Sequence, residues 1–202
     1  MPRRTTLAVV VVVVAAAVIV LVALAGGGGK GLAPEAATGQ VELASSAVAV
    51  VPEAERTALP AFTGQTLDGR ELDLASLRGR PLVLNFWASW CGPCRAEQEG
   101  LELASKALAG KDVRTVGVNI RDDKGAAVSY LEEYGVGYPS LFDRPAVLSA
   151  RLGALGPQAP PYTLVVDARG RVAARVFGAL PGGEPRRQAA LLTDLVERVT
   201  GA

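Results

Sequence analysis

The sequence predicts an α/β domain in which a mixed central sheet is packed between helices on both of its faces. Leu82–Ala88 is an almost uninterrupted apolar run, which is typical of a strand buried on both sides in the middle of a parallel sheet. Val113–Asn119 has the same character and predicts a second buried strand. Tyr162–Val166 and Arg171–Phe177 flank an Asp-Ala-Arg-Gly turn, and this pattern predicts an antiparallel pair.

Turn residues and apolar spacing place the other elements, and the compact part is expected to begin near Pro60. An Asp-Gly pair predicts a small hairpin within Leu67–Leu72, and a glycine predicts the end of one helical turn at Asp73–Gly79. The remaining elements are a helix from the cysteine motif to about Leu108, a helix at Lys124–Tyr134, a short strand at Tyr138–Phe142, a short helix at Ala146–Leu152 and an amphipathic helix at Pro185–Val199. The order of elements is therefore β-α-β-α-β-α-β-β-α.

The N-terminal segment from Leu7 to Ala25 is apolar and uncharged, and as a helix it is about as long as the hydrocarbon core of a bilayer is thick. Arg3 and Arg4 precede it, which places the N-terminus in the cytoplasm and the rest of the chain outside. We therefore expect a single-pass protein of the cell membrane with an extracytoplasmic C-terminal domain. Ala23-Leu24-Ala25 is similar to a cleavage site, so a cleaved signal peptide and a secreted protein are the alternative.

The predicted division of the chain is a transmembrane signal anchor at 1–25, a flexible linker at 26–55 and a folded domain at 56–202. The linker is rich in Ala, Gly and Pro and has no sustained apolar period. Within it, Val48–Val51 forms a small apolar cluster, which we expect to pack on the edge of the domain.

Composition excludes several kinds of functional site. The chain has 202 residues, a formal net charge of +1, two cysteines and no histidine. Without histidine there are no Ser-His or Cys-His nucleophile pairs and no histidine metal ligands. The charge balance shows no basic stripe, so no nucleic-acid partner is expected, and we expect neither a cofactor nor a metal.

The two cysteines stand in the motif Cys91-Gly92-Pro93-Cys94, where they can close a small ring. A strand that runs into this motif and then into a helix puts Cys91 at the helix N-terminus, where free N–H groups and the helix dipole stabilise a thiolate. Cys91 is therefore expected to be the attacking sulfur. Cys94 lies one turn into the helix and is expected to be a more buried, resolving thiol, while Pro93 suits the first helical turn because its missing N–H costs nothing there.

Three other interpretations of the cysteine pair remain open. A zinc site needs about four ligands, and here carboxylates or another subunit would have to complete it. A purely structural disulfide closing so small a loop would remove little entropy from the unfolded chain. A peroxidase is the third interpretation, although no isolated peroxidatic cysteine with a Thr partner is found.

Stretches outside the motif also match a known pattern: Pro60–Phe62, Leu67–Gly69, Leu77–Pro81, the run from Leu82 through Glu97, Tyr134–Pro139 and Pro161–Asp167. Through these stretches, residues 60 to about 199 resemble the extracytoplasmic thioredoxin-like oxidoreductases of the TlpA, ResA and DsbE group, which is associated with cytochrome c maturation. The resemblance implies a thioredoxin-like fold for the domain at 56–202 and thiol–disulfide exchange as its activity.

The resemblance also implies roles for individual residues. Cys91 is implied as the nucleophile, Cys94 as the resolving cysteine and Pro161 as a cis-proline that faces their disulfide. Glu97 is implied to shift the thiol pKa values and to move a proton near Cys94, the alternative being a solvated glutamate on the helix face. The residues expected to contact a bound partner are Trp90, Gly92, Pro93 and Pro160.

Three positions depart from related proteins, one of them Glu99, where many family members have proline. Asn85 stands where cytoplasmic thioredoxins carry a buried aspartate, so that route for a proton is missing. Pro160 precedes the implied cis-proline and has no N–H to donate to a partner strand, which leaves one fewer hydrogen bond for the partner.

Trp87, late in its strand, is expected to be a core residue.

The expected function is reduction of protein disulfides outside the cytoplasm, for example in cytochrome c maturation, as the resemblance implies. The expected partners are protein thiols or disulfides, a membrane-bound or soluble thiol electron donor or acceptor, and the membrane itself through the N-terminal helix. An oxidase that forms disulfides in secreted proteins and a non-catalytic binding module of the same fold are the alternatives.

Overall fold

The structure, a computed structural model, describes residues 47–202. The predicted transmembrane segment and most of the predicted linker lie outside the described residues. Across residues 47–202, every helix is too short or too polar to cross a membrane.

Within the described range, most strands belong to one mixed sheet, as the sequence predicts. The strands are β1 (Val48–Val50), β2 (Thr63–Gln65), β3 (Glu71–Asp73), β4 (Leu82–Trp87), β5 (Arg114–Ile120), β6 (Ser140–Asp143), β7 (Tyr162–Val166) and β8 (Val172–Phe177). The helices are α1 (Gly92–Ala109), α2 (Lys124–Glu133), α3 (Val147–Leu152) and α4 (Pro185–Thr200). The order in the large sheet is β1-β8-β7-β4-β5-β6, while β2 and β3 form a separate hairpin.

Strand β4 is buried along its whole length, and its two faces contribute to two different cores. Leu82, Leu84 and Phe86 pack on one face in a cluster that includes Leu148 of α3. Val83 packs on the other face with apolar side chains of α1 and α4. The sheet is therefore covered by helices on both faces, and the apolar run of β4 follows from burial on both sides.

The sheet topology brings three chain segments together at the end of the sheet where β4 and β5 terminate. Strands β4 and β5 are parallel, so the residues after each strand lie at the same edge of the sheet. Strand β7 is antiparallel to β4, with Tyr162 paired to Phe86, so β7 begins at that edge. The cysteine motif after β4, the residues after β5 and the proline pair before β7 therefore meet there.

Part of the predicted linker is structured. Val48 and Val50 pair with Val176 and Ala174, so β1 is an edge strand of the large sheet. A 3-10 helix follows at Glu53–Glu55. The expected packing of the valine cluster on the domain edge is thereby confirmed. The folded part begins before residue 56, since both valines pair with β8 and Val48 packs against the core, while Val50 stays exposed.

Candidate active site

Cys91 and Cys94 are joined in a disulfide, with their Cα atoms 5.3 Å apart. Cys91 is the N-cap residue of α1, and its Sγ accepts a hydrogen bond of 3.2 Å from the backbone N–H of Cys94. Pro93 lies in the first turn of the helix, where no N–H is needed. Cys91 is therefore placed where backbone N–H groups stabilise a thiolate once the disulfide is reduced.

The expected contrast in burial between the two cysteines is not present in the disulfide form. Cys91 is 3% exposed and Cys94 is 1% exposed. Their shared bond holds both against an apolar cluster that contains Trp87 and Tyr130. Gly92 and Pro93 between them are exposed. Within the motif, solvent therefore reaches the two residues between the cysteines more than the cysteines themselves.

The peptide bond between Pro160 and Pro161 is cis, as the resemblance implies. Pro161 is buried and immediately precedes β7, whose first residue pairs with Phe86 near the end of β4. Pro161 therefore lies at the sheet edge from which the chain enters the cysteine motif. Pro160 is half-buried and offers no N–H there.

Glu97 lies one turn after Cys94 on α1 and is only 1% exposed, so the alternative of a solvated glutamate on the helix face is wrong. One carboxyl oxygen, Oε1, accepts a hydrogen bond of 2.9 Å from Asn85 Nδ2, and Oε2 accepts one of 2.7 Å from the backbone N–H of Leu180. Burial raises the pKa of Glu97 to about 7, although both hydrogen bonds lower it. Asn85 also donates to Thr163 Oγ1 at 3.0 Å, so it links α1 to β7. At the position where the resemblance implies that cytoplasmic thioredoxins carry a buried aspartate, the chain therefore has an asparagine that donates to a buried glutamate.

The pKa of Glu97 predicts a pH-dependent stability for the oxidised protein. Its pKa is raised in the folded state, so its contribution is fully present below about pH 4.5 and is lost as the pH rises through about 7. We expect the free energy of unfolding to fall across that interval by an amount on the order of 3 kcal/mol. Glu97→Gln should be less dependent on pH there, in denaturant unfolding of the full-length chain with its disulfide intact.

Glu99→Gln is the matched control for this experiment, because Glu99 lies on the same helix but is exposed. Its free energy of unfolding should keep the wild-type slope with pH. An unchanged slope in Glu97→Gln would contradict the assignment of this pH dependence to Glu97.

The two tryptophans of the motif region have different surroundings. Trp87 is 2% exposed, donates from its indole N–H to Ser140 Oγ at 2.8 Å and stacks on Tyr130, which confirms that it is a core residue. Trp90 is 60% exposed, and its indole N–H donates to the carbonyl oxygen of Arg121 at 3.0 Å. Trp90 therefore presents a large apolar face to solvent directly beside Cys91.

Sequence reasoning missed Asp122, which follows β5 at the same edge of the sheet. Its carboxylate is 5% exposed and accepts hydrogen bonds from Ser89, Asn119 and Asp123. Burial opposes its ionisation, yet these hydrogen bonds hold the pKa of Asp122 below its usual range. The only signal in the sequence is the acidic pair Asp122-Asp123 after a buried strand. By itself this pair does not indicate contact with Ser89, which lies just before the cysteine motif.

Phe177 is a second exposed aromatic residue that the sequence did not single out. It ends β8, is 45% exposed and packs edge-on against Tyr162 with ring centroids 5.3 Å apart. Phe177 pairs with Tyr162, which directly follows Pro161, so Phe177 lies at the same end of the sheet as the cis-proline.

Across residues 47–202, no group of three or more Cys, Asp or Glu side chains is arranged to hold a metal ion.

A disulfide that caps the helix after the central strand, with a cis-proline opening the neighbouring antiparallel strand, is the arrangement of a thioredoxin-like protein. Comparison with known families agrees with this class: the chain belongs to the Redoxin family, whose model matches residues 53–191. The resemblance drawn from the sequence is thereby confirmed at the level of the fold and family.

The chain is also similar to individual proteins named for thiol-disulfide exchange. Over 126 residues the chain is 40% identical to the thiol:disulfide interchange protein DsbE of Yersinia pestis, covering 60% of this chain and 63% of that protein. It is 29% identical over 121 residues to the thiol-disulfide oxidoreductase ResA of Bacillus subtilis, covering 60% of this chain and 66% of ResA. The match thus spans less than two thirds of the Yersinia relative.

Among solved structures, the chain is similar to a DsbF homologue from Corynebacterium diphtheriae. The TM-score is 0.66 at 29% sequence identity, and the superposition covers 77% of this chain and 94% of the other. This agreement extends over almost the whole of that structure, so the described domain and the DsbF homologue share one fold.

Proposed function

We propose that the protein is a thiol–disulfide oxidoreductase that reduces disulfides in proteins outside the cytoplasm. The observation that carries the proposal is the Cys91–Cys94 disulfide at the N-terminus of α1, at the end of the sheet where the cis Pro160–Pro161 bond precedes β7. The relatives named thiol:disulfide interchange protein and thiol-disulfide oxidoreductase support it. Following the resemblance to the DsbE group, we propose that the substrate is a cysteine disulfide of apocytochrome c, which is reduced to thiols before haem attachment.

The reaction proceeds by two exchanges between thiols and disulfides. In the reduced protein, the Cys91 thiolate attacks one sulfur of a partner disulfide, and the other partner sulfur leaves as a thiolate. Cys94 then loses its proton and attacks Cys91 Sγ, which releases the second partner sulfur and restores the Cys91–Cys94 disulfide. Two electrons have then passed to the partner, and a thiol donor must return them to the protein.

Glu97 is proposed as the group that handles the proton of Cys94. It lies one helical turn beyond Cys94, and its pKa of about 7 allows it to accept and to release a proton near neutral pH. The hydrogen bonds from Asn85 and Leu180 hold the carboxyl group in place between these exchanges. Asn85 is thus a positioning residue for Glu97.

The carboxyl groups of Asp122 and Glu97 favour the reducing direction, and they act against the helix N-terminus, which stabilises the Cys91 thiolate. Asp122 is ionised and Glu97 becomes ionised above about pH 7, and both belong to segments adjoining the cysteines. Negative charge disfavours the thiolate form of a neighbouring cysteine, so it favours the disulfide over the reduced pair. A couple whose disulfide form is favoured has a low reduction potential and gives electrons to its partners. The Gly-Pro pair between the cysteines is also similar to that of reducing thioredoxins.

The reduction potential of the Cys91–Cys94 couple tests the proposed direction. The full-length chain is equilibrated against thiol buffers of known potential, and its reduced fraction is measured by alkylation. We expect a value at or below about −250 mV, near the thioredoxin end of the range. A value near about −120 mV, the range of DsbA, would replace the reductase with an oxidase that forms disulfides in secreted proteins.

A further inference from the structure

The carboxyl end of β5 holds the two residues that directly precede Cys91. Asp122 Oδ2 accepts from the backbone N–H of Ser89, and Asp122 Oδ1 accepts from Ser89 Oγ at 2.7 Å. The carbonyl oxygen of Arg121 accepts from the indole N–H of Trp90 at 3.0 Å. We call Asn119, Arg121 and Asp122 the β5 clamp. It lies far from Cys91 in sequence, yet it contacts Ser89 and Trp90, the two consecutive residues before the cysteine motif.

Every polar contact of Asp122 is a hydrogen bond that its carboxylate accepts. Besides the two bonds from Ser89, Oδ2 accepts from Asn119 Nδ2 at 2.7 Å and Oδ1 accepts from the backbone N–H of Asp123 at 2.9 Å. Each oxygen therefore faces two donors. A buried carboxylate is tolerated only with such compensation, and charge-assisted hydrogen bonds of this kind are about twice as strong as neutral ones. An asparagine at this position would turn its side-chain NH₂ group towards two hydrogen-bond donors, so it cannot make the same contacts.

Arg121 adopts the conformation that the clamp requires. Its φ of 52° lies in the left-handed region, which non-glycine residues rarely adopt. Its N–H donates to the carbonyl oxygen of Arg144 at 3.1 Å, which fixes this turn to the loop after β6. Its own carbonyl oxygen accepts the hydrogen bond from the indole N–H of Trp90. The clamp thus constrains both the backbone at Ser89 and the ring of Trp90.

We infer that Asp122 is a positioning residue for thiol–disulfide exchange, which fixes Ser89 directly and Trp90 through the adjoining Arg121, so that Trp90 stands exposed beside a correctly placed Cys91. The inference rests on the proposed function, because it concerns the geometry of the same attack. Cys91 must keep its position at the N-terminus of α1 while the partner changes from disulfide to thiol. The exposed face of Trp90 supplies an apolar surface for the polypeptide on either side of the partner cysteine.

Asp122→Asn tests this inference, and Asp167→Asn is its matched control. Asp167 is also buried, and each of its carboxylate oxygens also accepts two hydrogen bonds, from Arg56, Arg169 and Arg171. It lies in the turn between β7 and β8, at the end of β7 remote from Pro161. Both substitutions therefore remove a buried carboxylate that accepts four hydrogen bonds, but only Asp122 contacts Ser89, two residues before Cys91.

Two readouts are measured on the full-length chain under conditions where both variants are folded. The first is the rate at which the reduced protein reduces a disulfide-bonded peptide. Because small displacements of a reacting group are costly, we expect a loss of about tenfold or more in Asp122→Asn and less than twofold in Asp167→Asn. The second is acrylamide quenching of Trp90, which is measurable because Trp87 is buried. The quenching constant should change only in Asp122→Asn.

Equal rates in Asp122→Asn and Asp167→Asn, with unchanged quenching, would overturn the inference while leaving the proposed function in place. An inactive wild-type protein would instead overturn the proposed function. If Asp122→Asn fails to fold, Ser89→Ala provides the same test, since it removes the Oγ hydrogen bond to Asp122 but keeps the backbone bond. It should then slow peptide reduction by a smaller factor and in the same direction, and a wild-type rate in Ser89→Ala would contradict the inference.

Discussion

Cys91→Ala is expected to abolish disulfide reduction, with a loss of about a thousandfold or more in the rate with a peptide disulfide. Cys91 caps α1, so its thiolate is stabilised by N–H groups at the helix terminus, and it borders the exposed residues Gly92 and Pro93. Cys94 lies inside the first turn and does not cap the helix, so its thiolate lacks the hydrogen bond that Cys91 Sγ accepts from the helix terminus. The remaining thiol therefore cannot substitute for the one removed. The measurement is the initial rate of reduction under single-turnover conditions.

A folding control is needed for this variant, because both cysteines pack in the apolar cluster with Trp87. The reduced wild-type protein and Cys91→Ala should have similar unfolding midpoints, since neither contains the disulfide. Retention of a tenth or more of the wild-type rate in a folded Cys91→Ala would contradict the role of Cys91 as the attacking sulfur.

Cys94→Ala is expected to retain the first exchange and to lose the second. Cys91 can still attack a partner disulfide, but no neighbouring thiol remains to release the mixed disulfide. The variant should therefore accumulate a covalent complex of one partner per chain and should stop after one turnover. Non-reducing electrophoresis, followed by addition of dithiothreitol, measures the complex and its reversal.

The difference between the two cysteine variants is more informative than either alone. A structural disulfide predicts that both variants lose stability and that neither forms a complex with a partner. A non-catalytic binding module predicts that both variants keep their activity in cells. Only sequential attack by Cys91 and release by Cys94 predicts that Cys91→Ala is inactive and that Cys94→Ala accumulates a mixed disulfide with the partner.

The main features of the fold could be predicted because they leave local signals. The apolar run of β4 reflects burial on both faces, and the motif that follows it requires a helix to begin at Cys91. Burial of Glu97 could not be read from its neighbours in sequence. It depends on an asparagine in β4 and on the backbone N–H of Leu180 in the segment before α4. These contacts arise only when distant segments pack together.

The same limit applies to the β5 clamp and to β1. Ser89 and Asp122 are separated by 33 positions, and only the parallel pairing of β4 with β5 brings them to one edge. The pairing of β1 with β8 likewise depends on a partner far along the chain, so a three-residue strand in an alanine- and glycine-rich segment has no periodicity to reveal it. Short strands and buried polar networks are therefore the features that the structure adds.

Identification of the sulfur that forms the mixed disulfide tests the central claim most directly. The full-length Cys94→Ala and Cys91→Ala chains are each incubated, reduced, with the same disulfide-bonded peptide, and the complexes are digested and mapped by mass spectrometry. The mechanism predicts a mixed disulfide through Cys91 in the first variant and none above background in the second. A complex through Cys94 in Cys91→Ala, with none in Cys94→Ala, would reverse the order of attack and contradict the mechanism.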